Sequence, residues 1–211
     1  MTKATPEPAS NKGAYHHGEL REALVRATRQ LVVERGAENF TLADACRLAG
    51  VTTAAPYRHF RDKQEILEEL VARGFDDMSE RSRVAVESHG EGTIEGIRAM
   101  GQAYVQFAVD ETAMFRLMFG QNPALKKAAD VVARGQSCFA NVINQVALYC
   151  QREGIQANAP EIAVELWTFV HGAASLLIDE DYEKVAPGLD VQRLIENVTP
   201  RLLRVATTRD P

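Results

Sequence analysis

At 211 residues, 45% hydrophobic and 25% charged, the chain has the make-up of an ordinary globular protein of one or two domains. No uninterrupted apolar run approaches the roughly 20 residues of a membrane span, and the opening MTKATPEPASNKGA lacks an apolar signal core. The net charge of −5 argues at first against a nucleic-acid partner, but residues 1–63 carry +3 and residues 64–211 carry −8, a mildly basic head on an acidic body.

The expected location is therefore the cytoplasm, without membrane attachment, and residues 1–14 are expected to form a flexible arm. Helical periodicity follows almost throughout, with no sustained two-residue alternation, so an all-α fold of about nine helices is expected. Leu20, Leu24, Ala27 and Leu31 make the first stripe, ended by Gly36 as a left-handed cap. Thr41 opens a short second helix, TLADACRLAG, with Asp44 three residues on completing a capping pattern. Gly50 closes it, and Thr52 caps a third helix running to Phe60.

A longer fourth helix after Asp62 carries Ile66, Leu67, Leu70, Val71 and Phe75. Ile94, Ile97, Gly101, Tyr104 and Val105 mark the fifth, and ETAMFRLMFG the sixth, stopped by Gly120. The seventh runs from Leu125 to Gly154. The eighth (160–178) and ninth (190–206) are joined by an acidic loop, DEDYEKVAPG, and Pro200 should kink or restart the ninth. The eighth is apolar on more than one stripe, so a second covering surface is expected from another copy of the chain. Leu166, Phe169, Val170, Ala173 and Leu177 with Leu194, Val198 and Leu202 of the ninth are the candidate faces. Two such helices from each chain would make a twofold four-helix dimer interface.

The second and third helices meet at Gly50-Val51 with almost no linker, which is helix-turn-helix spacing. Cys46 fills the small slot where the helices touch, and Leu42, Ala45, Ala49, Val51 and Phe60 supply a miniature core. Thr52, Thr53, Ala54 and Ala55 make a slim leading turn able to enter a major groove about 12 Å wide. Tyr57 and His59 are placed to bond phosphates, Lys63 to anchor another, and Arg58 to read a guanine edge with two hydrogen bonds.

AENFTLADACRLAGVTTAAPYRHFRDKQEIL resembles the DNA-binding segment of the tetracycline-repressor (TetR) family of transcriptional regulators. The lead-in YHHGELREALVRAT and the later LWTFVHGAASLLID resemble a subgroup marked by a Trp and a His-Gly pair, here Trp167, His171 and Gly172. The resemblance implies a three-helix helix-turn-helix head over residues 15–62 and an effector-binding, dimerising body over 63–211. It implies phosphate contact at Thr41, groove contact at Thr52, Thr53 and Ala54, and backbone contacts at Tyr57, His59 and Lys63. It further implies an apolar pocket in the body whose occupant alters head spacing. Cys46 stands where an alanine is usual, and Ala54 and Ala55 offer no hydrogen-bonding side chain, so base reading falls on Thr53 and Arg58.

Met100, Tyr104, Phe107, Met114, Phe115, Met118 and Phe119 form an aromatic and methionine cluster that either packs a core or lines that pocket. Trp167 and His171 stand as further pocket candidates, although a histidine so placed is more often a satisfied core or interface residue. The three cysteines, Cys46, Cys138 and Cys150, have no CxxC pair and read as reduced thiols. His16 and His17 lack a third ligand at helical spacing, so no metal and no cofactor is expected. GEGTIEG (90–96) misses the dinucleotide-loop spacing and reads as a helix connector. With no GxSxG, HExxH or nucleophile–base pairing, an enzyme is not expected. The expected function is a homodimeric regulator, a repressor, of a near-palindromic double-stranded operator, released by a small apolar effector. The alternative is a helical small-molecule-binding or adaptor protein whose head contacts protein.

Overall fold

The computed structural model describes residues 12–54 and 56–207, with side chains for 19–54 and 56–204. Nine α-helices and no strand occur among the described residues. They are α1 (Lys12–Arg35), α2 (Leu42–Leu48), α3 (Lys63–His89), α4 (Ile94–Asp110), α5 (Thr112–Phe119), α6 (Ala129–Glu153), α7 (Ala159–Ile178), α8 (Asp181–Val185) and α9 (Val191–Thr207). Single 3-10 turns occupy Pro56–Arg58 and Leu125–Lys127. The chain divides into two compact units, Met1–Leu67 and Glu68–Pro211.

In the first unit, α1 buries Leu24, Val25, Ala27, Leu31 and Val32, the residues that a 3.6-residue period gathers on one face. Thr28, fully buried among them, leaves its Oγ1 without a hydrogen-bond partner. Gly36 ends the helix at φ 78°, with its amide on the Val32 carbonyl at 2.9 Å. Thr41 caps α2 through a reciprocal box: the Asp44 amide donates to Thr41 Oγ1 at 3.2 Å, and the Thr41 amide donates to Asp44 Oδ2 at 2.8 Å. Gly50, at φ 69°, turns the chain, and the Val51 amide reaches back to the Cys46 carbonyl at 3.0 Å. Ala45, Cys46, Phe40 and Phe60 close the core, each at most 5% exposed.

The third helix expected over Thr52–Phe60 is not an α-helix. Thr53 and Ala54 form a turn, and among the described residues of this segment the only regular element is the 3-10 turn Pro56–Arg58. Pro56 offers no N–H to bond back to Thr52, and its own carbonyl accepts from His59 and Phe60 at 2.8 Å. The number of helices still reaches nine because the acidic segment expected as a loop contains α8. Two further boundaries move: α1 starts at Lys12, inside the expected arm, and the seventh expected helix is split at Ala128. Pro200 sits inside α9 without restarting it. Residues 1–11, Ala55, and the side chains of His16 and His17 lie outside the described residues.

The second unit packs around α4 and α7. Gly101 allows their close approach, since a Cβ there would stand 3.2 Å from Val170 Cγ1. A core of Ile97, Val146, Tyr149, Cys150, Ile162, Leu166 and Leu203 ties in α6 and α9. GEGTIEG is a connector: Thr93 caps α4 through the Gly96 amide at 3.0 Å, and a Cβ at Gly96 would meet the Gly90 carbonyl oxygen at 2.1 Å. Leu125 and Val131 are buried at the split between the 3-10 turn and α6, which ends at Gly154 with φ 68°. By length and apolar content alone α7 could cross a membrane, yet Ile162, Ala163, Leu166, Val170, Ala173 and Ala174 are buried within the chain, as in a core helix.

Candidate functional site

The head presents a short exposed edge built by the box, the Gly50 turn and the buried anchors Pro56 and Phe60. Thr52, Thr53, Ala54, Tyr57 and Arg58 are all exposed, Tyr57 at 67%. Among the described residues, the side chains of Thr52, Thr53, Tyr57 and Arg58 have no hydrogen-bond or ion-pair partner, so their donors face outward uncommitted. His59 is half-buried. Thr41 is exposed, but its hydroxyl already donates to Asp44 Oδ2 at 2.7 Å. Lys63 is likewise engaged: its Nζ donates to the Phe40 carbonyl at 2.6 Å and lies 4.1 Å from the Phe40 ring centroid. An ammonium has three donors, so Lys63 keeps capacity for an anion while bracing the α1–α2 loop.

Two cations near this edge are paired. Arg47 pairs with Asp44 at 3.0 Å and Arg61 with Glu65 at 3.1 Å. The Thr41 hydroxyl, then its amide and Arg47, hold the Asp44 carboxyl down to about 2. On the edge itself, Arg58 is the exposed cation without a partner among the described residues, able to bond a base or phosphate.

The second unit contains a partly open cavity of about 360 Å³. Met100, Tyr104, Phe119 and Trp167 line it. Phe107, Met114, Phe115 and Met118 do not; each is at most 6% exposed and packs the surrounding core. Met118 is held against Gly74, where a Cβ would stand 2.6 Å from its sulfur. His171 sits one layer behind the wall, its ring 4.9 Å from that of Phe119.

Sequence reasoning misses most of the opposite wall: Phe75, Met78 and Ser82 of α3, and Cys138, Phe139 and Val142 of α6. The spacing of 75, 78 and 82 and the run 135, 138, 139 and 142 each mark one helical face, and Gly101 and Gly135 leave room between them. That periodicity is the signal from which the wall could be found.

Tyr104 organises the polar corner of this cavity. Its hydroxyl lies 2.8 Å from His171 Nδ1 and accepts a long bond from Trp167 Nε1 at 3.4 Å. Burial pushes the Tyr104 phenol well above its ordinary range and pulls the His171 imidazole below its own. Both are neutral at physiological pH as a result. Burial likewise raises the Cys138 thiol, so it lines the cavity protonated.

The dimer-face residues need correction. Leu166, Val170 and Ala173 are buried inside the chain itself, at 5%, 8% and 3% exposure, and Leu177 is half-buried on that same side of α7. They face the protomer's own core because α4 and α9 already cover that side. The exposed stripe of α7 lies roughly opposite and runs through Val164, Thr168, Gly172 and Leu176. Phe169 is half-buried on its flank, and on α9 Leu194, Val198 and Leu202 are half-buried.

Residues 97–202 match the family model described as Tetracyclin repressor-like, C-terminal domain, and residues 24–70 match that of bacterial regulatory proteins, tetR family. Over 55 residues the chain is 42% identical to the HTH-type transcriptional repressor BepR of Brucella suis, spanning 26% of each chain. Over 89 residues it is 32% identical to the HTH-type transcriptional regulator TtgR of Pseudomonas putida, spanning 42% of this chain and 40% of that one. Among solved structures it resembles a protein of unknown function from Rhodococcus sp. RHA1, with TM-score 0.78 and 28% identity over 92% of this chain and 98% of that one. It shares the fold of the TetR family transcriptional regulator PfmR from Thermus thermophilus, with TM-score 0.62 and 15% identity over 86% and 97% of the two chains. The buried-core head with its outward edge and the helical unit around a cavity are thus matched separately and together, and the chain belongs to the TetR family of DNA-binding transcriptional regulators, a family of non-enzymatic proteins.

Proposed function

We propose that the protein is a cytoplasmic, homodimeric repressor that binds a near-palindromic operator and is released by a small apolar effector. The observation that carries this reading is the outward edge of the head, Thr52, Thr53, Tyr57 and Arg58, uncommitted to any described partner within a segment matching the tetR family model. In this reading residues 1–14 are an arm, 15–62 the DNA-binding domain and 63–211 the effector and dimer domain. Thr53 and Arg58 read bases. Thr52 and Ala54 face the groove beside them, and Thr41, Tyr57, His59 and Lys63 set the register on the phosphate backbone. Repression is supported by the likeness to BepR, a transcriptional repressor by name. Trp167, His171 and Gly172 on α7 support placement in the Trp/His-Gly subgroup.

The effector occupies the cavity. Helix α3 carries Lys63 at its start and Phe75, Met78 and Ser82 at the cavity wall, which gives a continuous element through which occupancy can bias the head. Moving the population from 1:99 to 99:1 requires about 5.5 kcal/mol of differential binding. The dimer interface is read on the exposed α7 stripe with Phe169, Leu194 and Val198 beside it. Leu176→Glu is expected to give a monomer by sedimentation; a dimer that persists moves the interface elsewhere.

Selection of bound duplexes from a random pool tests the DNA reading. The expected product is an inverted repeat with half-sites one helical turn, about 34–36 Å, apart. An adaptor protein would enrich no sequence, and any duplex binding would vanish with salt.

A further inference from the structure

The cavity carries more information about its ligand than its volume. None of its described lining residues is Asp, Glu, Lys, Arg or His. An ionised group entering it would lose water and find no counter-charge, so the buried part of the ligand is uncharged. At about 360 Å³ the space is between two and three times the ~150 Å³ apolar cavity that accepts benzene, enough for a two-ring body. Phe75, Phe119, Phe139 and Trp167 around it supply ring faces and edges for such a body, with Phe139 and Trp167 5.7 Å apart.

One polar wall group has a favoured direction. The indole N–H of Trp167 can only donate, and it donates to the Tyr104 oxygen at 3.4 Å. The Tyr104 oxygen keeps a second lone pair, so the 2.8 Å bond to His171 Nδ1 is open to either direction. A phenol O–H is the stronger donor and a bare imidazole nitrogen the stronger acceptor, which favours Tyr104 donating. His171 is then the neutral tautomer with its proton on Nε2. In that arrangement the Tyr104 oxygen is left with one lone pair and no proton to offer, so it accepts and does not donate. The hydroxyls of Ser82 and Thr199 and the Gln136 amide, also on the wall, can each act either way and impose no such direction.

We propose that the effector is an uncharged, two-ring-sized apolar molecule carrying a hydroxyl or N–H, which it donates to Tyr104, the residue that determines specificity. This rests on the reading of the second unit as the effector domain and deepens it.

The test is calorimetric titration of the full chain, without DNA, by three probes of one shape at neutral pH: 4-phenylphenol, its methyl ether 4-methoxybiphenyl, and biphenyl-4-carboxylate. The phenol is expected to bind about tenfold more tightly than the ether, the loss of one hydrogen bond to a buried acceptor. The carboxylate is expected to bind at least 100-fold more weakly than the phenol. Tyr104→Phe should bring phenol and ether to within about twofold. His171→Phe removes the acceptor that holds the Tyr104 proton, so preference should shift toward the ether; this second variant carries the test if the first does not fold. A merely structural role for either residue would weaken all probes together. Equal binding of phenol and ether by the unaltered protein, a carboxylate as good as the phenol, or no binding by any probe would each overturn the assignment. Failure of the operator selection would leave these titrations unchanged, so the two readings fail separately.

Discussion

The head and the body place their functional atoms on opposite sides of a packed core. In the head, Phe40, Ala45, Cys46 and Phe60 are buried so that Thr52, Thr53, Tyr57 and Arg58 can stand outside with unpaired donors. In the body, α3, α4, α6 and α7 hold their apolar side chains slightly apart, and the space between them is the candidate site. The head needs a rigid support because a donor must meet a base edge at hydrogen-bond distance. The body tolerates softer, adaptable walls, and Met78 and Met100 are the side chains suited to that. One region is specified by what projects from it, the other by what it leaves unfilled.

The sharpest way to break this contrast is truncation of an anchor. Phe60→Ala is expected to cost about 3–5 kcal/mol of stability by urea unfolding, with loss of DNA binding. The same truncation at half-buried Phe75 should cost less, because less of its area was removed from water and it already borders empty space. If the two costs are equal, the head is no more tightly packed than the cavity wall.

Arg58→Ala comes next. It should relax preference at one base pair per half-site by about 1–3 kcal/mol in competition binding, while Lys63→Ala weakens all duplexes alike. Because Lys63 also bonds the Phe40 carbonyl, its loss should lower the melting temperature as well, and Arg58→Ala should not. Identical sequence-independent losses in both variants would remove the distinction between a reading and an anchoring residue.

A smaller effect is expected at the α2 cap. Thr41→Ala should lose about 1 kcal/mol. The Asp44 carboxyl is held near about 2 in the folded chain, below its unfolded value of about 3.9. Its contribution is thus fully present above about pH 4 and is lost as pH falls toward about 2. Thr41→Ala should therefore flatten the acid limb of the stability curve; an unchanged limb would show that the box does not hold the proton equilibrium. The smallest change concerns Thr28, whose buried Oγ1 lacks a partner. Thr28→Val keeps the shape and should raise stability by about 0.5–1 kcal/mol in thermal unfolding.

How much is legible follows from the range of each interaction. The Thr41–Asp44 box, the Gly36 and Gly50 turns and the Thr93 cap are bonds between residues at most five apart, so their residue types announce them. The departure over Thr52–Phe60 is also local: Pro56 has no N–H to give, so no helical bond ties it back to Thr52. On α7 the limit is different. Apolar residues surround the helix, and periodicity cannot say which face its own chain will cover. The face expected to meet a partner is the one that α4 and α9 occupy.

The sequence alone determined the helical class, the caps, the turn between α2 and the edge that follows, and the kinds of side chain exposed on that edge. These are set by short-range bonds and by spacing along a helix. Only the tertiary structure decided that Phe75 and Phe139 share a cavity with Tyr104, and that Trp167 and His171 both meet the Tyr104 hydroxyl. Those outcomes depend on groups more than sixty residues apart meeting within 3.4 Å, which no local pattern encodes.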